Sequence, residues 1–209
     1  MTDAPDRPLS VRRTRTRDRL LAAALDVFAE EGFGRSTVEQ VCERAGFTRG
    51  AFYSNFESLD ELFLVMWEQH STAMLAGIRE AVAAAEEAAA TGPVDLDHAA
   101  AGILAAIPVE DRWYRITAEF TAHALRNPAL RSVMVAREAA ILAAILPIVE
   151  SALARAGRRI TDPGELGRAL VAVHDGTSVQ VLMEPDDERI VSARTHLFVC
   201  VLRSYSESV

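Results

Sequence analysis

The sequence predicts an all-α chain of nine helices. Three observations lead there. Apolar residues recur at three- and four-residue spacing, helix caps and stop signals punctuate the chain throughout, and β-branched alternation is absent. The 209 residues are half apolar, enough for one large domain or a small one joined to a larger one.

The first helix is expected from about Thr14 to Glu31, with Leu20, Leu21, Ala24, Leu25 and Phe28 as its apolar stripe and Gly32 as its C-cap. Thr37-Val38-Glu39-Gln40 is a capping box that opens a short second helix ending at Gly46. Thr48 can cap a third helix over 49–54. Ser58-Leu59-Asp60-Glu61 is a second capping box. It starts a long fourth helix that fades near Thr91-Gly92-Pro93. A fifth helix runs from about Asp97 to Ile107 and stops at Pro108, and a sixth from Glu110 to Arg126. Asn127-Pro128 is a cap followed by an N1 proline. The seventh helix reaches Ala156, with Pro147 inside it as an expected kink. Asp162-Pro163 repeats the signal for an eighth helix ending at Glu184-Pro185, and a ninth runs from about Asp187 to Tyr205.

Composition excludes several classes. Cys42 and Cys200 are far apart and form no C-x-x-C pair, so neither a disulfide framework nor a zinc or redox motif is expected. The first residues lack the apolar run of a secretory signal. No uninterrupted apolar stretch approaches the roughly 20 residues of a membrane span. A soluble cytoplasmic protein is expected. Glu119 and His123 are spaced i, i+4 and could supply two metal ligands, but no third appears at a recognisable spacing. His174 and Asp175 are adjacent and cannot share a helix face. No nucleophile elbow, P-loop or dinucleotide fingerprint occurs. No enzyme, metal or cofactor is therefore expected.

Net charge is −8, but it is unevenly distributed. Residues 1–56 hold nine arginines against eight acids, so the remainder carries −9. Arg7, Arg12, Arg13, Arg15, Arg17 and Arg19 cluster at the start; every basic residue of the chain is arginine. A local basic patch is an electrostatic footprint for nucleic acid even in an acidic protein, and a solvated arm without a partner is the alternative.

A short capped helix, a glycine turn and another short helix have the layout of a helix-turn-helix. Gly46 allows the turn, and Gly50 and Ala51 keep the second helix surface low. Tyr53, Ser54 and Asn55 can donate to phosphate oxygens, while Arg49 can neutralise phosphate or read a guanine edge. Phe52 and Phe56 are expected to point into the core. An ordinary helical hairpin in a bundle is the alternative.

The run "LLAAALDVFAEEGFGRSTVEQVCERAGFTRGAFYSNFESLDELFL", residues 20–64, strongly resembles the DNA-binding domain of the TetR family of transcriptional regulators. The likeness lies in the A-x-x-x-F-x-x-x-G-F register, the capped "STVEQV", the "AGFTRGAFYSNF" unit and the "S-x-x-E-L" opening of the fourth helix. It covers about a quarter of the chain. The resemblance implies a nine-helix TetR-like homodimer: an N-terminal three-helix helix-turn-helix domain plus a C-terminal helical domain for ligand binding and dimerisation. In this sequence that means a flexible arginine-rich arm at 1–13, a DNA-binding domain at 14–74 with its helix-turn-helix at 37–56, and a ligand-binding and dimerisation domain at 75–209.

By position, the resemblance assigns Thr37, Thr48, Arg49, Gly50, Ala51, Tyr53, Ser54 and Asn55 to double-stranded DNA, with Arg12, Arg13 and Arg15 supporting from the arm. Glu57 and Leu59 stand where basic residues are usual at the start of the fourth helix, which puts a phosphate contact there in doubt. The resemblance places the dimer interface on the last two helices, 163–184 and 187–205. Leu166, Ala169, Leu170, Val173, Thr177 and Val181, with Ile190, Ala193, Leu197, Val201 and Leu202, are the expected stripes; covering the chain's own core is the alternative. Trp67, Met74, Trp113, Phe120, Met134 and His174 are candidates to line a pocket, with His123, Thr177 and Gln180 as polar orienting groups. Few charges fall on those faces, so the expected ligand is apolar or aromatic. The expected function is a ligand-responsive regulator, foremost a repressor that leaves a palindromic operator when the ligand binds. A helical small-molecule-binding module without DNA binding is the alternative.

Overall fold

The computed structural model of the protein describes residues 11–88 and 95–209. Among these, nine α-helices account for most of the chain: α1 (Val11–Glu31), α2 (Val38–Ala45), α3 (Arg49–Tyr53), α4 (Leu59–Ala88), α5 (Leu96–Ala105), α6 (Asp111–Ala124), α7 (Pro128–Arg155), α8 (Pro163–Met183) and α9 (Glu188–Ser204). The expected break at Thr91-Gly92-Pro93 and the arm residue Arg7 lie outside the described residues. α1 begins three residues earlier than expected, so Arg12 and Arg13 are helical.

The caps explain most boundaries. The Thr37 hydroxyl accepts from the Gln40 amide at 3.2 Å, and the Gln40 side chain accepts from the Thr37 amide at 2.8 Å. At α4, Ser58 Oγ accepts from the Glu61 amide and Glu61 accepts from the Glu57 amide. Asn127, Asp162 and Asp187 cap α7, α8 and α9 with their side-chain oxygens. α7 stays a single helix through Pro147.

Two compact units divide the chain. The first comprises the described residues to Gln69 together with Arg115–His123. Its core holds Leu20, Ala24, Phe28, Val41, Phe52, Phe56, Leu62 and Phe63, all essentially without solvent exposure. A 3-10 turn, Phe33–Arg35, drops Phe33 into this core. The Phe33 ring meets Phe28 at 5.0 Å and Phe120 at 4.8 Å edge-on, and Phe63 stacks on Phe120 at 3.7 Å. Each such pair adds about 0.5–1.5 kcal/mol beyond area burial. Gly32 makes the drop possible. Its φ of +82° strains any residue with a Cβ, and an added Cβ would lie 2.7 Å from Glu119 Oε2.

The second unit holds His70–Tyr114 and Ala124–Val209. Its buried cluster joins Ala100, Leu104, Val149, Leu153, Leu166, Leu170, Phe198, Val199 and Leu202. This corrects the expected interface stripe: Leu166, Leu170, Thr177 and Leu202 serve the chain's own interior. Ala193 and Leu197 of that stripe stay exposed, and the exposed side of α8 and α9 adds Ala172, Gly176, Gln180, Met183, Val191 and Cys200.

Two features differ from the expectations drawn from the sequence. Short strands β1 (Arg158–Ile160) and β2 (Ser206–Ser208) pair antiparallel, with Arg158 opposite Ser208 and Ile160 opposite Ser206. Arg158 also donates to Ser206 Oγ at 2.8 Å and to the Ser206 carbonyl at 2.6 Å. The second feature is α7, which by length and composition alone could cross a membrane, although Arg137, Glu138 and Glu150 interrupt its apolar run.

Candidate nucleic-acid interface

α2 and α3 form the helix-turn-helix. Gly46, with φ +69°, ends α2 in the left-handed conformation, and its amide closes on the Cys42 and Glu43 carbonyls. The Thr48 hydroxyl then caps α3 by accepting from the Ala51 amide at 3.3 Å. α3 has only five residues, too few for stability alone, so neighbouring elements must hold it. Phe52 and Phe56 anchor it as expected, at 0 % and 1 % exposure.

What remains outside is a small polar face. Thr48, Arg49, Gly50, Tyr53 and Ser54 are exposed, Ala51 is half-buried, and Thr37 is exposed at the start of α2. The Arg49 guanidinium pairs with Glu39 of α2 at 2.7 Å and lies 5.9 Å from the Tyr53 ring centroid. Both members of that ion pair are more than half exposed, so solvent screens it and it yields readily to a phosphate or a guanine edge. Arg12 and Arg15 are exposed on α1.

Two expected DNA contacts are placed otherwise. Asn55 is buried, and its amide nitrogen donates to the Ala51 carbonyl at 2.8 Å, which makes it a C-terminal cap of α3 rather than an outward donor. Arg13 donates to the Ser54 carbonyl at 2.9 Å. Arg17 and Arg19, which the sequence places only in the basic cluster, donate to the Asn55 and Ala45 carbonyls at 2.9 and 2.7 Å. The signal was the four-residue spacing of Arg13 and Arg17, which sets them on one face of α1. Glu39 was missed as the partner of Arg49.

The expected ligand-lining residues divide between the two units. Phe120 is fully buried in the ring cluster of the first unit, where it is core. His123, also in that unit, has Nε2 3.2 Å from Asp60 Oδ1. Trp67 is half-buried there beside Phe63. In the second unit, Trp113 stacks on His70 at 4.2 Å and 19°, Met74 is half-buried and Met134 is buried. Burial holds the His70 pKa below its ordinary value, against the opposing pull of Glu110. Thr177 is buried and its hydroxyl donates to the Val173 carbonyl at 2.6 Å, and Gln180 is exposed. His174 accepts from Arg194, with Nδ1 3.1 Å from the guanidinium. Among the described residues, no group of three or more His, Cys, Asp or Glu could hold a metal ion.

A capped helix-turn-helix with an exposed second helix, followed by a larger helical unit, defines a helix-turn-helix regulator by its architecture. Residues 20–66 match the model of bacterial regulatory proteins of the tetR family, and residues 106–201 match the C-terminal model of BetI-type transcriptional repressors. The chain belongs to the TetR family of transcriptional regulators. It is 31 % identical over 70 residues to the transcriptional activator FasR of Mycolicibacterium smegmatis, a match covering 34 % of this chain and 32 % of that protein. It is 38 % identical over 55 residues to a probable acrEF/envCD operon repressor of Escherichia coli, covering 26 % of this chain and 25 % of that one. The chain thus spans a third or less of the length of these curated relatives. Among solved structures, a transcriptional regulator from Rhodococcus sp. Rha1 aligns with TM-score 0.65 and 23 % identity over 90 % of this chain and 95 % of that one. A TetR-family regulator from Mesorhizobium loti aligns with TM-score 0.69 and 16 % identity over 94 % and 97 %. The multidrug binding protein EbrR, solved with imidazole, aligns with TM-score 0.58 and 25 % identity over 94 % and 97 %. These likenesses carry the fold. The matching families are regulators, and no enzymatic family is indicated.

Proposed function

We propose that this protein is a homodimeric, ligand-responsive regulator that reads a palindromic DNA operator and releases it when a small apolar or aromatic molecule binds. The observation that carries the reading is the exposed face of α3, Thr48-Arg49-Gly50 with Tyr53, on a helix too short to exist except as a presented element. Thr48, Gly50 and Ala51 keep its surface low, so backbone and Arg49 can approach base edges, while Tyr53, Ser54 and Thr37 offer hydroxyls to phosphates. Arg12 and Arg15 add positive charge from α1. A two-fold dimer would place two such helices in successive major grooves about 34–36 Å apart, which is why the operator should be palindromic. The uncovered apolar residues Met183, Val191 and Leu197 on α8 and α9 support dimerisation there. Half-buried Trp113 and Met74 support an apolar ligand. Ligand and operator must oppose one another by the same factor. Repression is the first expectation, although the relatives include both an activator and a repressor.

A second reading, a ligand-binding module without DNA binding, is favoured by two observations: Asn55 is buried, and Glu57, Asp60 and Glu61 make the start of α4 acidic. Selection from a library of genomic fragments separates the two. A regulator enriches a palindrome; enrichment of no sequence would sink the proposal and leave the module.

A further inference from the structure

We infer that Arg13 and Arg17 of α1 are positioning residues of the DNA-reading unit: their guanidinium groups clamp the C-terminal end of α3 and set its pose, instead of neutralising phosphates. The inference rests on the DNA-binding reading above.

A helix of five residues leaves nearly all its carbonyls without intrahelical donors. In α3 the Gly50 carbonyl takes the Ser54 amide, the Ala51 carbonyl takes Ser54 Oγ and Asn55 Nδ2, and the Phe52 carbonyl takes the Asn55 and Phe56 amides. Just beyond the end of α3, the carbonyls of Ser54 and Asn55 are closed by Arg13 and Arg17, both at 2.9 Å. Four residues apart on α1, the two arginines stand one turn above each other and so meet two consecutive carbonyls. The partially negative end of the α2–α3 pair faces cations throughout, because Arg19 closes the Ala45 carbonyl of α2 in the same way.

Arg17 is further constrained. Its guanidinium lies 4.4 Å over the ring of Phe56, itself buried, and Arg19 lies 4.6 Å over Phe47. A planar cation held by an aromatic face and a carbonyl is committed in direction. Arg17 is half-buried, held between the Phe56 ring and the Asn55 carbonyl. The basic cluster thus has two jobs by position. Arg12 and Arg15 remain for phosphates, while Arg13 and Arg17 fasten the reading helix to α1 and Arg19 fastens α2.

The two roles differ in salt dependence. A lost phosphate contact flattens the slope of log K against log salt by about 0.9. A lost positioning bond weakens sequence-specific binding and leaves the slope alone. The experiment compares the full chain with Arg17→Gln, Arg13→Gln and Arg15→Gln, titrated by fluorescence anisotropy against the selected palindrome and against scrambled DNA at several salt concentrations. Amide hydrogen exchange is measured on each protein without DNA. For Arg17→Gln, operator affinity should fall about tenfold, the scale of one charge-assisted hydrogen bond, with scrambled-DNA binding and salt slope unchanged. Exchange should quicken at residues 53–56 while α1 and α4 keep their protection. Arg13→Gln should show the same pattern more weakly; it lies at the exposed start of α1, so it keeps the test open if Arg17→Gln does not fold. Arg15→Gln should flatten the slope. A flattened slope in Arg17→Gln or Arg13→Gln, with equal losses on operator and scrambled DNA and unchanged exchange, would make them phosphate contacts and overturn the inference. Unchanged operator affinity would overturn it as well. If the wild-type chain selects no DNA, the functional reading fails; the exchange data still decide whether the clamp holds α3.

Discussion

Acidification of the His174–Arg194 contact gives a quantitative test of the larger unit. Arg194 is 6 % exposed, and its guanidinium donates to an imidazole, His174 Nδ1, at 3.1 Å. Burial, reinforced by the Arg194 charge, lowers the His174 pKa from 6.5 to about 4. The folded state therefore holds His174 neutral where the unfolded chain already binds a proton. Stability is full above pH 6.5, falls as pH drops toward 4, and levels off below that. At 1.36 kcal/mol per pH unit, a shift of this size is worth about 3 kcal/mol. Two nearby acids act in the opposite sense. Burial raises the pKa of Asp175, and burial with the Asp175 charge raises that of Glu138, so both take up protons more readily in the folded state as pH falls. Comparison with His174→Gln isolates the histidine, because glutamine keeps an acceptor for Arg194 but does not titrate. The assay is urea unfolding at fixed protein concentration from pH 7.5 to 4. The stability difference between the two proteins should change by about 3 kcal/mol across that range. Parallel curves would refute the argument and mean that His174 is protonated beside Arg194 or solvated.

Three further outcomes are expected. Arg49→Ala should cost about 1–3 kcal/mol of operator affinity, measured by anisotropy, with unchanged thermal unfolding because the side chain is exposed. Gly32→Ala should cost about 1–3 kcal/mol in thermal unfolding, since φ is +82° and the new Cβ pushes on the Glu119 carboxylate; a neutral result would show that the chain leaves α1 by another path. Trp113→Ala removes the ring stacked on His70, so the His70 pKa, held down by burial, should rise toward 6.5 in an NMR titration, with a modest melting shift if Trp113 borders a ligand cavity.

Much of this molecule is local. Thr37, Gly46, Thr48, Ser58, Asn127, Asp162 and Asp187 act through atoms within four residues of themselves, so they can be read from a string of letters. For the same reason the helix boundaries fall within about three residues of expectation. The exposed face of α3 is legible too, because Phe52 and Phe56, four residues apart, mark the one side that is buried.

The three-dimensional fold decided what depends on distant pairs. Asn55 looks like an outward donor in sequence, but the packing of Phe52 and Phe56 turns it under the helix end. Arg13 and Arg17 look in sequence like members of one basic cluster, and only the 41- and 38-residue contacts to Ser54 and Asn55 give them a direction. The apolar stripe of α8 could face a twin or its own core with equal periodicity. Position beside Val149, Leu153 and Phe198 turned Leu166 and Leu170 inward and left Met183 and Leu197 outside. The β1–β2 ribbon is too short for any alternation to show, and it exists because Arg158–Ile160 and Ser206–Ser208 arrive side by side. Spacing along a chain fixes which residues share a face, since helical geometry is set by the backbone itself; what that face meets is fixed by long-range packing, for which one-dimensional periodicity carries no term.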